Sequence, residues 1–174
     1  CGHESARGDQ CDNCGRTLDP IDLIDIRNPR DGSTPVFKDT THQMLKLGDF
    51  QEQLEKWVSG KDEWRANVRN QTLGMIREGL HERAITRDID WGVPVPLKGY
   101  ESKRIYVWFE AVIGYLSATR VWAEQRGTPD EWEKFWVDPE GESYYFQGKD
   151  DVSFHTIMLP LILLGSGELN LPTD

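Results

Sequence analysis

The feature that most constrains the fold is an aromatic run that leads through a glycine into a long apolar segment. Tyr144–Phe146 is followed by Gly148, by two carboxylates at Asp150 and Asp151, and by the apolar run 152–164. A short aromatic run favours a buried strand. An Asp before an apolar run is a typical helix N-cap, because its carboxylate accepts the free N–H groups of the first turn. The pattern predicts a strand, a glycine turn and a capped helix.

A second unit of the same kind precedes this one. Residues 104–108 read as a strand, and a helix is predicted from Glu110 to Arg126, where Gly127 ends it. Strand and helix alternating at this spacing imply parallel strands joined by right-handed crossovers. In such a sheet, ligands bind at the carboxyl ends of the strands. An ordinary turn without a ligand gives the same local pattern, so the junction at Gly148 alone does not establish a site.

Length and composition bound the class of protein. The chain has 174 residues, 37% of them hydrophobic and seven of them Trp, which is enough for a real core in one domain or one and a half. No apolar run approaches the roughly 20 residues that span a bilayer, so we expect no membrane contact. The formal net charge of -10 argues against broad, non-specific nucleic-acid binding by this chain. It does not exclude a nucleic acid that another part of a larger protein holds.

The first residues carry all three cysteines, Cys1, Cys11 and Cys14. The segment 1–19 has almost no apolar side chains, and a tetrahedral zinc could order such a segment. A Cys-x-x-Cys pair of this kind is typical of a metal site in a reducing compartment. Zinc takes four ligands, so the fourth is either His3 or a residue upstream of Cys1. Three unligated thiols in a loop are the remaining alternative.

The middle of the chain is predicted to be mostly helical. One helix is expected to begin at its cap Asp49 and end at Gly60, and a second runs from Asp62 to Gly79. The segment 84–98 that follows contains Pro94 and Pro96, which forbid a central strand after Gly92. We interpret it as an ordered, extended connector.

Four motifs stand in order along the chain. They are the cysteine segment Ala6–Gly15, the pair Ile85–Asp88 and Trp91–Pro96, the pair Tyr106–Ala111 and Ile113–Tyr115, and the pair Gly148–Asp150 and Phe154–His155. These motifs resemble the methionyl-tRNA synthetase family of class I aminoacyl-tRNA synthetases. The last two resemble the family patterns Trp-x-Asp-Ala-x-Ile-Gly-Tyr and Gly-Lys-Asp-x-x-x-Phe-His. Each motif alone is weak, and together they cover essentially the whole chain.

The resemblance implies an α/β fold, the second half of a Rossmann-like catalytic domain with a zinc-knuckle connective insertion. Residues 1–35 would form the knuckle arm, 36–100 the rest of the insertion, and 101–174 an incomplete catalytic half. The family's Cys-x2-Cys-x9-Cys-x2-Cys spacing implies that Cys1, Cys11 and Cys14 bind zinc with one upstream cysteine. The family's His-Ile-Gly-His and Lys-Met-Ser-Lys-Ser motifs have no counterpart here, so an internal fragment is expected.

The implied activity is that of a cytoplasmic methionine–tRNA ligase, which joins methionine to ATP, taken with Mg²⁺, and passes the amino acid to tRNA(Met). The chain alone is expected to be inactive, since other parts of the synthetase grip ATP. The implied site residues are Arg87 at the phosphates as the catalytic residue, Trp108, Ala111, Tyr115 and His155 at methionine, and Gly148 and Asp150 at adenosine.

Three residues depart from the family pattern. Glu110 stands where Asp is usual, Val112 where Pro or a small polar residue is common, and Asp151 where relatives often have an apolar residue. A carboxylate facing a thioether is costly to desolvate, so Asp151 is expected to turn toward the helix N-terminus.

The alternative function is a free-standing zinc-knuckle module that binds protein or nucleic acid, with a supporting α/β part. Flanking sequence would separate the two.

Overall fold

The structure is a computed structural model that describes residues 1–6, 9–11, 13–14 and 17–173. The chain divides into two compact units, Cys1–Thr41 and His42–Asp174. Four residues of the cysteine motif lie outside the described residues: Arg7, Gly8, Asp12 and Gly15.

The first unit is built around a hairpin. Strand β1, Asp9–Gln10, pairs antiparallel with β2, Thr17–Leu18, and Asp9 lies opposite Leu18. A 3₁₀ turn follows at Pro20–Asp22, where the Asp19 carboxylate accepts the N–H of Ile21 at 3.2 Å. The hairpin connection carries Cys11 and Cys14.

The second unit contains the helices. They are α1 at Gln51–Ser59, α2 at Ala66–Glu78, α3 at Val107–Gln125, α4 at Glu133–Trp136 and α5 at Leu159–Ser166. Two 3₁₀ turns, Leu47–Phe50 and Lys149–Asp151, and a π-helical turn, Phe154–Met158, complete the helical segments. Among the described residues, no helix combines the length and the apolar character that crossing a bilayer requires.

Helix α5 and the π-helical turn before it lie between two apolar clusters. The first joins them to α1 and α2 and contains Leu54, Val58, Leu73, Ile76, Ile157 and Leu161. The second joins α5 to α3 and α4 and contains Val112, Trp136, Leu159 and Leu163. Because both faces of this segment are covered, it is apolar all round, as expected for a buried helix.

The described strands form antiparallel ribbons of two residues each. Strand β3, Met44–Leu45, pairs with β4, Arg83–Ala84, and β5, Thr86–Arg87, pairs with β6, Arg104–Ile105. The prediction of parallel pairing is therefore wrong for the described residues. Tyr144–Phe146 belongs to none of the described strands, and Phe146 is 97% exposed. A strand requires a hydrogen-bonded neighbour, and the aromatic pattern cannot supply one.

Other predicted element boundaries also differ from the structure. The second helix begins at Ala66 rather than at Asp62. The strand expected at 104–108 ends at Ile105, because α3 already begins at Val107. Asp49 lies inside a 3₁₀ turn and does not cap α1, whose N-cap is Phe50 without a side-chain hydrogen bond. The predicted end of the second helix is correct: Gly79 follows α2 with φ of 100°, a conformation that favours glycine.

Candidate functional site

A cavity of about 360 Å³ opens beside α3 and α4. Most of its walls are aromatic. Its lining residues are Tyr115, Thr119, Phe135, Trp136, Ser143, Tyr144, Tyr145, Phe146 and His155. A concave, mainly aromatic cavity with a few polar groups is the usual form of a small-molecule site.

Tyr115 and His155 supply the central polar contact of this cavity. The Tyr115 hydroxyl lies 2.9 Å from Nε2 of His155, and Nδ1 of the same ring lies 3.0 Å from the carbonyl oxygen of Asp151. A carbonyl only accepts, so Nδ1 carries the proton of the neutral ring. Nε2 is then the acceptor, and the Tyr115 hydroxyl donates to it. The buried His155 is therefore held at both ring nitrogens.

Tyr145 completes an aromatic cluster with Tyr115 and His155. Its ring meets Tyr115 edge-on, with 5.3 Å between centroids, and lies 5.6 Å from the His155 ring. Burial raises the pKa of Tyr145 above its ordinary value; Ser143 opposes this through a hydrogen bond, and Tyr115 adds to it. Sequence reasoning missed Tyr145. The signal was present, because alternation along an extended segment places Tyr145 opposite the exposed Tyr144 and Phe146.

Trp108 and Ala111 share a face of α3 with Tyr115, at spacings of three and seven residues. They do not line the cavity. Trp108 instead stacks on Phe154, with ring centroids 4.4 Å apart and an interplanar angle of 19°. Since Phe154 directly precedes His155, the structure joins Trp108 to the aromatic cluster through this stack. Ala111 is exposed.

Gly148 and Asp150 lie at the 3₁₀ turn before the π-helical turn, and both are exposed. The N-cap of this turn is Gly148, which has no side chain. The predicted capping by Asp150 or Asp151 is therefore absent there. A Cβ on Gly148 would lie 3.8 Å from Oδ2 of Asp151, which places this carboxylate beside the start of the turn. This position agrees with the expectation that Asp151 turns toward the helix start.

Arg87 is held on β5 by its own neighbours. Its Nη1 donates to the carbonyl oxygens of Ala84, at 2.7 Å, and Thr86, at 3.0 Å. Its Cζ lies 3.9 Å from the centre of the Tyr106 ring, which is a cation–π geometry. The guanidinium therefore has a defined orientation at the edge of the β5–β6 ribbon.

A polar network that sequence reasoning missed surrounds the buried Thr86. Nδ1 of His42 lies 2.9 Å from the Thr86 hydroxyl, and its Nε2 lies 3.7 Å from Oδ2 of Asp88. Asp88 also accepts a hydrogen bond from the largely buried Lys103. Burial lowers the pKa of His42. The positive charges of Lys103 and Arg87 lower this pKa further, and the negative charge of Asp88 opposes the shift. The 44 residues between His42 and Thr86 leave no local sequence signal.

In the first unit, the predicted metal ligands converge. The sulfur atoms of Cys1, Cys11 and Cys14 all lie within 4.8 Å of one another, and those of Cys1 and Cys11 are 3.6 Å apart. Tetrahedral zinc with bonds of about 2.3 Å places its sulfur ligands about 3.8 Å apart, so this arrangement fits. Backbone N–H groups of Cys14 and Asn13 lower the pKa of the Cys11 thiol, against the effect of burial. The cluster could hold a metal ion.

The chain is similar to known synthetases. It is 56% identical to a methionine–tRNA ligase of Dehalococcoides mccartyi over 175 residues, and 55% identical to one of Thermoplasma volcanium over 174 residues. Both alignments cover 100% of this chain, but only 31% and 32% of the relatives. The chain thus spans about a third of the length of these curated relatives.

The structure is also similar to that of Mycobacterium tuberculosis methionyl-tRNA synthetase bound by methionyl-adenylate. The TM-score is 0.66 at 19% identity, over 91% of this chain and 31% of the other. This likeness confirms the predicted α/β fold. A family model described as tRNA synthetases class I (M) matches residues 1–174, and the chain therefore belongs to this family of class I tRNA synthetases.

Proposed function

We propose that this chain is the part of a methionine–tRNA ligase that holds the methionine side chain, part of the adenosine and the zinc knuckle. The observation that carries the proposal is the hydrogen bond between Tyr115 and His155 at the wall of an aromatic cavity. The whole enzyme activates methionine with ATP and Mg²⁺ and transfers it to tRNA(Met). The remaining two thirds of the synthetase supplies the other groups that bind ATP and the groups that bind tRNA.

The chemistry of the cavity suits a thioether. Methionine sulfur is polarisable and a weak acceptor, and it favours contacts with aromatic ring edges. The aromatic cluster offers such edges, and Tyr115 and His155 offer polar atoms beside them. Trp108 and Ala111 lie outside the cavity lining, and the proposal places them at its margin, on the face of α3 that carries Tyr115. Trp108 is joined to the aromatic cluster by its stack on Phe154.

The nucleotide is assigned to the turn that leads into the π-helical turn and to β5. At Gly148 the backbone is open to a ligand, and the exposed carboxylate of Asp150 can accept hydrogen bonds from ribose hydroxyls. The guanidinium of Arg87 stabilises charge on the phosphates during adenylate formation, in the role of catalytic residue. Charge stabilisation by fixed groups is a large part of catalysis in such a step.

The cysteine cluster is assigned to structural zinc. Cys1, Cys11 and Cys14 provide three sulfur ligands, and a cysteine upstream of Cys1 provides the fourth. Zinc would order a hairpin that has little apolar core of its own.

The segments and the setting follow from the same proposal. Residues 1–35 are the knuckle arm, 36–100 the rest of the connective insertion and 101–174 the catalytic half, in a cytoplasmic enzyme. A free-standing zinc-knuckle module is disfavoured, because the family match covers residues 1–174 rather than the cysteine segment alone.

The test is methionine-dependent exchange of pyrophosphate into ATP by the complete synthetase. His155→Ala should raise the KM for methionine, by an amount that corresponds to a loss of about 1–3 kcal/mol of binding free energy. This is the order of the loss of a buried hydrogen-bond partner. The KM for ATP should stay near its original value. The matched control is His81→Ala, since His81 is an exposed histidine in the loop after α2. A loss of thermal stability without any change in methionine use would remove His155 from the site.

A further inference from the structure

Two buried threonines connect α2 to the π-helical turn. Thr72 is 0% exposed and Thr156 is 4% exposed, and their hydroxyl oxygens lie 2.9 Å apart. Their chain neighbours Leu73 and Ile157 belong to the apolar cluster between α2 and α5. A hydrogen bond in such low-dielectric surroundings is electrostatically stronger than one in water.

Each threonine hydroxyl also lies near a carbonyl oxygen four residues earlier. The Thr156 hydroxyl donates to the carbonyl oxygen of Val152 at 2.8 Å, and the Thr72 hydroxyl lies 2.9 Å from the carbonyl oxygen of Val68 in its own helix. A hydroxyl has one proton, so when Thr156 donates to Val152, the bond between the threonines uses the proton of Thr72. Thr72 then has two acceptors for that proton, the Thr156 hydroxyl and the Val68 carbonyl.

The threonine contact joins α2 to the segment that presents His155. Thr156 lies within Phe154–Met158, where the N–H of Leu159 donates to the carbonyl of Phe154, five residues earlier. Such π-helical turns are rare and occur frequently at functional sites. His155 and Phe154, which directly precede Thr156, contact Tyr115 and Trp108. A tilt or rotation of the turn would move both contacts together.

We propose that Thr72 is a positioning residue for His155. Its hydroxyl fixes Thr156, which holds the wide turn in the orientation that aims His155 at Tyr115. The connective helix α2 thereby sets the geometry of the methionine pocket without touching the substrate. This inference rests on the proposed function and extends it to a residue outside the cavity.

The test compares three variants of the complete synthetase in pyrophosphate exchange. Thr72→Val keeps the shape and removes the hydroxyl, and Thr156 still donates to Val152, so no buried donor is stranded. Thr72→Ser restores the hydroxyl. Ile76→Val is the control, since Ile76 is fully buried one turn later in α2 and the change removes one methylene.

We expect Thr72→Val to raise the KM for methionine about fivefold, the order of one net hydrogen bond, without changing the KM for ATP. Thr72→Ser should restore the KM, and Ile76→Val should lower only the melting temperature. The inference is overturned if Thr72→Val behaves like Ile76→Val, or if the serine variant is as impaired as the valine variant. A wild-type synthetase without methionine-dependent exchange would instead overturn the proposed function, and this inference with it.

Discussion

The Tyr115 hydroxyl donates to Nε2 of His155 at 2.9 Å, and Nδ1 of the same ring donates to the carbonyl oxygen of Asp151. The imidazole is therefore fixed in one tautomer, and the two side chains act as one unit. Removing either one leaves the other with an unmade hydrogen bond at a partly buried position, which costs more than an exposed bond.

Non-additivity between these two residues is the first prediction. Tyr115→Phe alone should weaken methionine use by about 1–3 kcal/mol, because the donor to His155 is lost. Combined with His155→Ala, it should add little to the loss caused by the histidine change alone. A double-mutant cycle on KM for methionine measures this coupling. Fully additive effects would show that the two side chains act separately.

The second prediction concerns the ring beneath Arg87. Tyr106→Leu removes the aromatic ring whose centroid lies 3.9 Å from Cζ of Arg87. The rate of adenylate formation should fall, by an amount that corresponds to about 0.5–2 kcal/mol of activation free energy. Tyr106→Phe keeps that face and serves as the control. Presteady-state measurement of adenylate formation reads the step directly. Equal losses in both variants would assign the effect to the tyrosine hydroxyl.

Zinc content is the third prediction. A synthetase with intact sequence upstream of Cys1 should hold about one zinc per chain by elemental analysis, and Cys11→Ser should lose it. The 174-residue chain itself should bind zinc weakly, with His3 or water as the fourth ligand. Intact protein that contains no zinc and reacts at all its thiols would contradict the assignment.

The fourth prediction is a pH dependence of stability from His42. Its folded pKa lies below the ordinary value of 6.5, so the unfolded chain binds the proton more readily. Stability should therefore be complete above about pH 6.5 and decline as the pH falls toward the lowered pKa. Facing groups are Lys103, Arg87 and Asp88. Urea unfolding of wild-type chain and His42→Gln should converge at low pH, and parallel curves would rule His42 out as the cause.

Elements with a dense apolar spacing were predictable from sequence. Leu54 and Val58 on α1, and Leu73 and Ile76 on α2, follow helical spacing, and all four are buried. Gly79 ends its helix as predicted. The three cysteines also converge, as the resemblance implied. For the two helices, the determining information lies within a few residues of the chain.

The wrong predictions depend on contacts distant in sequence. Val107 and Trp108 read as the end of a strand, but they open α3, where Trp108 stacks on Phe154. The roles of Tyr145 and His42 likewise come from partners that lie far along the chain, at Tyr115 and Thr86. Spacing rules describe one segment at a time, and they do not show which distant segment it will contact.

The π-helical turn at Phe154–Met158 also changes how the chain tolerates a change of length. A regular α-helix advances about 100° per residue, and a π-helical turn accommodates one more residue than the regular turn does. Deleting one residue here would convert the wide turn into a regular turn, and α5 would keep its rotational phase because both kinds of turn close about one full circle. Leu161 and Leu163 would then still face their separate clusters. A single-residue deletion in this turn should therefore disturb the packing of α5 less than a deletion inside the regular helix α2 or α3, where the residues that follow would rotate by about 100°.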